Sequence, residues 1–216
     1  MAIHGNSPTG KSYIGVLTPK CGSRSVLGLT RNLFGSHQSI HMHSRVTDSN
    51  DPNPVILVPP HDNIELANDD TTFVFAFIRH PFTCYKSWWV HLGVTSERKT
   101  IFGRCYDEDF NKFIANIANK QPGALSTLYR AYTYRTNFIG LLERLVWDLW
   151  AIADLLDIEL DVTGFHPHIF KKQNPGGTLP QHKDSTLSRQ SRKLICDMDT
   201  YALELWEKVA DRSYAK

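Results

Sequence analysis

The sequence predicts an α/β fold, a single domain with a central, mainly parallel sheet flanked by helices. Three observations carry that expectation. Short apolar, β-favouring runs at residues 13–17, 72–78 and 136–140 suit buried strands. Apolar residues then recur at helical spacing, most regularly through Leu141, Leu142, Leu145, Val146, Leu149, Trp150, Ala153 and Leu156. Two of the strand runs lead to a cationic residue placed ahead of a helix, Lys20 and Arg79. Open α/β sheets bind ligands beyond the C-terminal ends of their strands, where both cations fall.

In chain order, residues 1–12 are expected to be a flexible N-terminal segment ahead of a domain spanning 13–216. Within that segment GNSPTGKS, residues 5–12, fits the P-loop pattern GxxxxGK[ST] letter for letter. A P-loop needs a strand before it and a helix after it. Only four residues precede Gly5, and Lys11-Ser12 run into Thr18-Pro19, which leaves no room for a long helix. Residues 13–17 are the first expected strand, halted by Thr18-Pro19. A turn through Lys20 and Gly22 leads into a helix through Val26, Leu27, Leu29, Leu33 and Phe34 that ends near Gly35. Residues 39–46 read as a short strand, whose alternation puts His41 and His43 on one face.

Residues 47–60, rich in Asp, Asn and Pro, read as a loop, and 63–68 as a short helix. Residues 72–78 suit a central strand covered on both faces, followed by a helix over 82–91 with Pro81 at its first turn. A polar loop over 95–106 precedes one helix from Asp107 through Ile117 and another from Pro122 through Tyr132. The strand at 136–140 and the long helix after it come next. Residues 159–184 are irregular around Asn174-Pro175-Gly176-Gly177, and 185–211 return to one helix through Leu187, Leu194, Met198, Tyr201, Leu205 and Val209. Trp88, Trp89, Trp147 and Trp150 fall at core spacing and are assigned to packing.

Composition excludes several classes of function. With 41% hydrophobic and 21% charged residues in 216, the chain is an ordinary globular domain able to build a full core. A net charge of +2 is too small to argue for nucleic acid. No run approaches the ~18 apolar residues of a membrane span, and the start lacks a signal-peptide core. Cys21, Cys84, Cys105 and Cys196 show no CxxC spacing, so neither a zinc site nor a disulfide framework is indicated. The expected setting is the cytoplasm, without nucleic-acid or membrane partners.

The chemistry concentrates at two strand ends. In TPKCGSRS, residues 18–25, a glycine-containing turn meets a helix N-terminus. The N–H groups of the turn and the first free N–H groups of the helix point at one spot favoured by the helix dipole, Lys20 adds a full charge, and Ser23 and Ser25 add hydroxyls. That set suits a phosphate-like anion. Arg79 offers a planar fork matching phosphate, and Ser87 lies about two helical turns further on. Two cationic corners suggest a ligand with two separate anionic groups.

These residues resemble a family. TPKCGSRS resembles the 5′-phosphosulfate loop of sulfotransferases that use 3′-phosphoadenosine 5′-phosphosulfate (PAPS). FAFIRHPFTCYKSWW resembles their 3′-phosphate motif, and FIGLLERLVWDLWAIADLLDI their strand, Gly, Glu and long helix. The tail over 179–209 is similar to the closing segment of carbohydrate O-sulfotransferases of the uronyl 2-O type. The resemblance implies a P-loop-kinase-like sulfotransferase fold over 13–216. It further implies that Lys20, Cys21, Gly22, Ser23, Arg24 and Ser25 hold the 5′-phosphosulfate while Arg79 and Ser87 grip the 3′-phosphate. Cys21 and Arg24 depart from the family, which more often has Thr there. The 216 residues are also fewer than in the Golgi carbohydrate enzymes, and the membrane anchor of those enzymes is not expected here.

The implied reaction moves a sulfuryl group from PAPS to an acceptor hydroxyl of a carbohydrate or small molecule. Lys20 would stabilise the departing phosphate, and no metal is required because the protein supplies the cations. His43 and His41 are the leading candidates for the general base, with His61 and Glu65 behind them. Lys171 and Lys172 would lie over the nucleotide or meet an anionic acceptor. Two other readings stand beside this one. One is a P-loop nucleotide kinase or NTPase, and the other a sulfotransferase-like module that binds without turnover.

Overall fold

A computed structural model describes residues 2–34, 39–41, 71–95, 99–160 and 185–212. Its strands are β1 (Ala2–Asn6), β2 (Ser12–Val16), β3 (Ser39–His41), β4 (Phe73–Ile78) and β5 (Phe138–Leu141). They form one sheet in the order β3-β1-β2-β4-β5. β2, β4 and β5 are parallel neighbours, whereas β1 runs antiparallel to both β2 and β3. Among the described residues, every strand except β1 therefore ends at the same edge of the sheet.

The helices are α1 (Ser23–Phe34), α2 (Pro81–Thr95), α3 (Phe110–Lys120), α4 (Ala124–Thr133), α5 (Leu145–Leu155), α6 (Arg189–Met198) and α7 (Thr200–Ala210). Strand alternation divides them between two faces. Tyr13, Leu17, Phe75 and Phe77 point to one face and pack with Val26 and Leu29 of α1 and Leu149 and Ile152 of α5. Val74 and Ala76 point to the other face with Tyr132 of α4, and Ile78 joins the core built by α2, α3, α4, α6 and α7. The register makes room for the two rings. Gly15 pairs with Phe75 and Gly140 with Phe77, and a Cβ at either glycine would lie 2.6 or 2.5 Å from the ring beside it.

The first twelve residues are not a loose segment. Ala2 and Ile3 are 0% exposed, and β1 lies inside the sheet between β2 and β3. The P-loop-like residues close a β-hairpin, in which Asn6 pairs with Ser12 and the Gly10 N–H donates to the Ser7 carbonyl (2.9 Å). Gly10 takes the left-handed backbone (φ +84°) that this turn requires. Lys11 pairs with Asp157 just past α5 (2.6 Å), at the start of β2 and thus across the sheet from Lys20. No helix follows this turn, so the context a P-loop requires is missing.

Two further expectations change. The helix expected over 185–211 is two, α6 and α7, broken at Asp199. That carboxylate is buried and accepts from the Tyr85 hydroxyl and from the Ser126 N–H (2.8 Å) in the first turn of α4. Trp147 is 63% exposed and packs edge-on against Trp150, whereas Trp88 and Trp89 are buried as expected. The residues after β5 begin as a 3₁₀ turn, Leu142–Arg144, before α5 starts. The loop expected over 95–106 includes a buried 3₁₀ turn, Gly103–Cys105. The expected loop at 47–60 and helix at 63–68 lie outside the described residues. No described helix is long and apolar enough to cross a membrane.

Candidate functional site

At the shared strand edge, β2 hands over to α1 through a turn whose geometry is set residue by residue. Lys20 adopts φ +62°, a left-handed backbone that costs a side-chain-bearing residue about 1 kcal/mol or more. Gly22 follows at φ +77°, where a Cβ would also lie 2.3 Å from Leu142 Cδ1 beyond β5. The turn is latched from within, since the Cys21 N–H (3.2 Å) and the Ser23 hydroxyl (2.9 Å) both donate to the Thr18 carbonyl. Gly22 then accepts the first helical bond from the Val26 N–H (2.9 Å), which makes Ser23, Arg24 and Ser25 the first turn of α1. Such a turn directs its N–H groups away from the helix body, toward whatever lies ahead of it.

One strand over, β4 delivers Arg79. The Tyr129 hydroxyl of α4 clasps its backbone, accepting from the Arg79 N–H (3.2 Å) and donating to its carbonyl. Arg79 Nε donates to the Thr83 hydroxyl (3.0 Å), which fixes the plane of the guanidinium. Among the described residues Arg79 has no carboxylate partner, and its guanidinium presents the planar fork that suits phosphate. Ser87 stands one helical turn beyond Thr83, on the same side of α2.

The two corners are physically joined. Cys21 is buried and its thiol donates to the same Tyr129 hydroxyl (3.9 Å) that holds Arg79. The ammonium of Lys20 lies 5.5 Å from the centre of the Trp88 ring, next in sequence to Ser87. Glu143, just past β5, closes the third side by accepting from the His80 N–H (2.9 Å) and from Trp206 Nε1 (3.4 Å). His80 Nδ1 accepts from the Phe82 N–H (3.2 Å) at the start of α2, which requires a neutral ring. Burial holds the His80 imidazole below its usual value, outweighing the opposing pull of Glu143 and Glu207.

The expected residues divide three ways. Lys20, Cys21, Gly22, Ser23, Arg24, Ser25, Arg79 and Ser87 gather at one edge of the sheet. Within that group the Cys21 side chain turns into the core, and the Cys21 N–H and the Ser23 hydroxyl are both spent on the Thr18 carbonyl, which leaves Ser23 to contribute through its backbone. His41 is the last residue of β3 and, like Val16 of β2, pairs with Ala2, which sets its backbone at the same edge two strands away. His43, His61, Glu65, Lys171 and Lys172 lie outside the described residues. Sequence reasoning missed Thr83, Tyr129 and the cationic contact of Trp88. Thr83 had a usable signal in its four-residue step from Arg79, whereas Tyr129 comes from a distant helix and had none.

In sequence and in fold, the chain has no match among family models, curated proteins or solved structures.

Proposed function

We propose that this protein binds a nucleotide carrying two separate phosphates and transfers a sulfuryl group from PAPS to an acceptor hydroxyl. The observation that carries the reading is the convergence of two anion-binding corners, the Lys20 turn and Arg79, joined through Cys21 and Tyr129 at one sheet edge. The residues present fit such a ligand. A helix N-terminus with Lys20 suits the 5′-phosphosulfate, and the Arg79 fork, which has no carboxylate partner among the described residues, suits the 3′-phosphate. PAPS, when bound, supplies the activated sulfuryl group.

In this reading Lys20 neutralises charge building on the leaving phosphate, and the N–H groups of Gly22, Ser23 and Arg24 hold its oxygens. Arg79 and Ser87 anchor the far end of the nucleotide, so that the reacting bond is aligned by binding at a distance. His41, the last residue of β3, or His43 accepts the acceptor's proton. The acceptor class proposed is a carbohydrate or a small alcohol. A kinase reading through residues 5–12 finds its lysine tied to Asp157 in a hairpin at the opposite edge.

The test is calorimetric titration with adenosine 3′,5′-bisphosphate and with Mg-ATP, followed by labelled sulfate transfer from PAPS to a panel of acceptors. The bisphosphate is expected to bind, with Lys20→Ala and Arg79→Ala each weakening it. Loss of Lys20 is expected to lower transfer by about 10²–10³-fold. Binding of Mg-ATP in its place overturns the reading, and bisphosphate binding without transfer to any acceptor reduces it to a binding module.

A further inference from the structure

We infer that His80 is a positioning residue: its neutral imidazole caps α2 and thereby holds the Arg79 corner in its anion-binding shape. Protonating the ring releases that corner, with a consequence for ligand affinity that rests on the nucleotide reading above. His80 directly precedes Pro81, the first residue of α2, and so occupies the N-cap position. Its carbonyl accepts the first helical bond from the Cys84 N–H (2.9 Å). Its Nδ1 accepts from the Phe82 N–H (3.2 Å), one of the donors that a helix start leaves without an intrahelical partner. Serine, threonine, aspartate or asparagine usually fills this role, and a histidine makes the cap titratable near neutral pH. The cap reaches Arg79 in two steps. The His80 carbonyl accepts from the Thr83 hydroxyl (2.9 Å), and the Thr83 oxygen accepts from Arg79 Nε (3.0 Å). The plane of the guanidinium therefore depends on where the first turn of α2 is pinned.

A proton on Nδ1 turns the acceptor into a donor facing the Phe82 N–H, so the cap bond breaks. The same proton puts a positive charge at the positive end of the α2 dipole, next in sequence to Arg79. The ring is half-buried, with its centre 4.9 Å from that of Phe82 and 4.5 Å from that of Trp206 on α7. Among the described residues, the charged groups around it are Glu143 past β5, Glu207 of α7, Arg79 and Arg192 of α6. Arg192 stands 5.8 Å from the centre of the same Phe82 ring and opposes a second cation there. The two glutamates favour the proton, but Glu143 already accepts from the His80 N–H and from Trp206 Nε1. Burial prevails and holds the imidazole below its usual 6.5. The cap is therefore complete above pH 6.5 and is lost as the pH falls through the lowered folded value.

The experiment compares the full chain with its His80→Asn and His80→Ala variants at about pH 7.5 and about pH 5, on either side of the histidine range. Asparagine caps a helix and does not titrate, whereas alanine cannot cap. Amide hydrogen exchange is read first, without ligand and corrected for the intrinsic effect of pH. Protection of the Phe82 and Cys84 amides is expected to fall about fivefold on acidification in the unmodified chain, to hold in His80→Asn and to be low at both pH values in His80→Ala. Adenosine 3′,5′-bisphosphate is then titrated calorimetrically. Acidification is expected to weaken it about fivefold more in the unmodified chain than in His80→Asn, a comparison in which the ligand's own protonation cancels. That excess is expected to vanish in Thr83→Val, where the cap no longer reaches Arg79. Protection that falls equally in the unmodified chain and His80→Asn, or in neither, overturns the inference. Affinity that rises on acidification relative to His80→Asn overturns it too, because protonated His80 then serves the ligand as a cation. Equal affinity changes, or an excess that persists in Thr83→Val, overturn the positioning of Arg79. Failure of the unmodified chain to bind bisphosphate at about pH 7.5, with the exchange result intact, counts against the nucleotide reading alone.

Discussion

Lys20 and Thr83 show what single residues do at this edge. A lysine held at φ +62° gives up stability to hold its position, a cost that glycine does not bear. Lys20→Gly is therefore expected to stabilise the fold by about 1 kcal/mol in denaturant unfolding while removing bisphosphate binding. Opposite signs for stability and binding distinguish a strained functional residue from a structural one. Thr83 acts through Arg79, because it is the acceptor that orients the guanidinium Nε (3.0 Å). Thr83→Val keeps the shape and removes the acceptor, and is expected to weaken bisphosphate binding by about 1 kcal/mol, roughly fivefold, with little change in melting temperature. The sequence makes Lys20, Gly22 and Arg79 legible, since their meaning is local: a turn, a helix start and a strand end. Tyr129 is illegible there because its task, bridging Cys21 to Arg79, exists only after α4 has packed.

Helices and strands follow their patterns except where a distant partner intervenes. The apolar spacing of residues 187–209 continues past position 199, so periodicity alone reads one helix. The break comes from Asp199, whose carboxylate must meet Tyr85 and the first turn of α4. Asp199→Ala strands a buried hydroxyl and a buried N–H, and is expected to cost about 2–5 kcal/mol in unfolding free energy. Burial holds the Asp199 carboxyl above its usual value of 3.8, more than its hydrogen bonds lower it. The folded state thus binds this proton more tightly than the unfolded chain does. Its stabilising contribution is complete below 3.8 and is lost as the pH rises through the raised folded value. Asp199→Asn is expected to flatten that decline, checked by urea unfolding across the acid range. β1 fails the opposite way: its Gly5 and Asn6 are poor strand formers, and only pairing on both sides makes it one.

The whole molecule depends on that short strand. Because β1 fills the gap between β2 and β3, its removal separates β3 from the sheet and uncovers Ile14, Val16 and the rings packed with Ile3. Deleting residues 2–6 is expected to abolish cooperative thermal unfolding, followed by circular dichroism, and not merely to shift its midpoint. A flexible N-terminal segment, as the sequence led us to expect, would leave the transition in place. The same strand has a practical side. Running against its neighbours, it starts where they finish, and Ala2 lies level with both Val16 and His41. Anything fused ahead of Ala2 emerges on the rim beside the Lys20 turn. A purification tag left there crowds the end of β2 that leads into the Lys20 turn, so protein with the tag cleaved off is the form to assay.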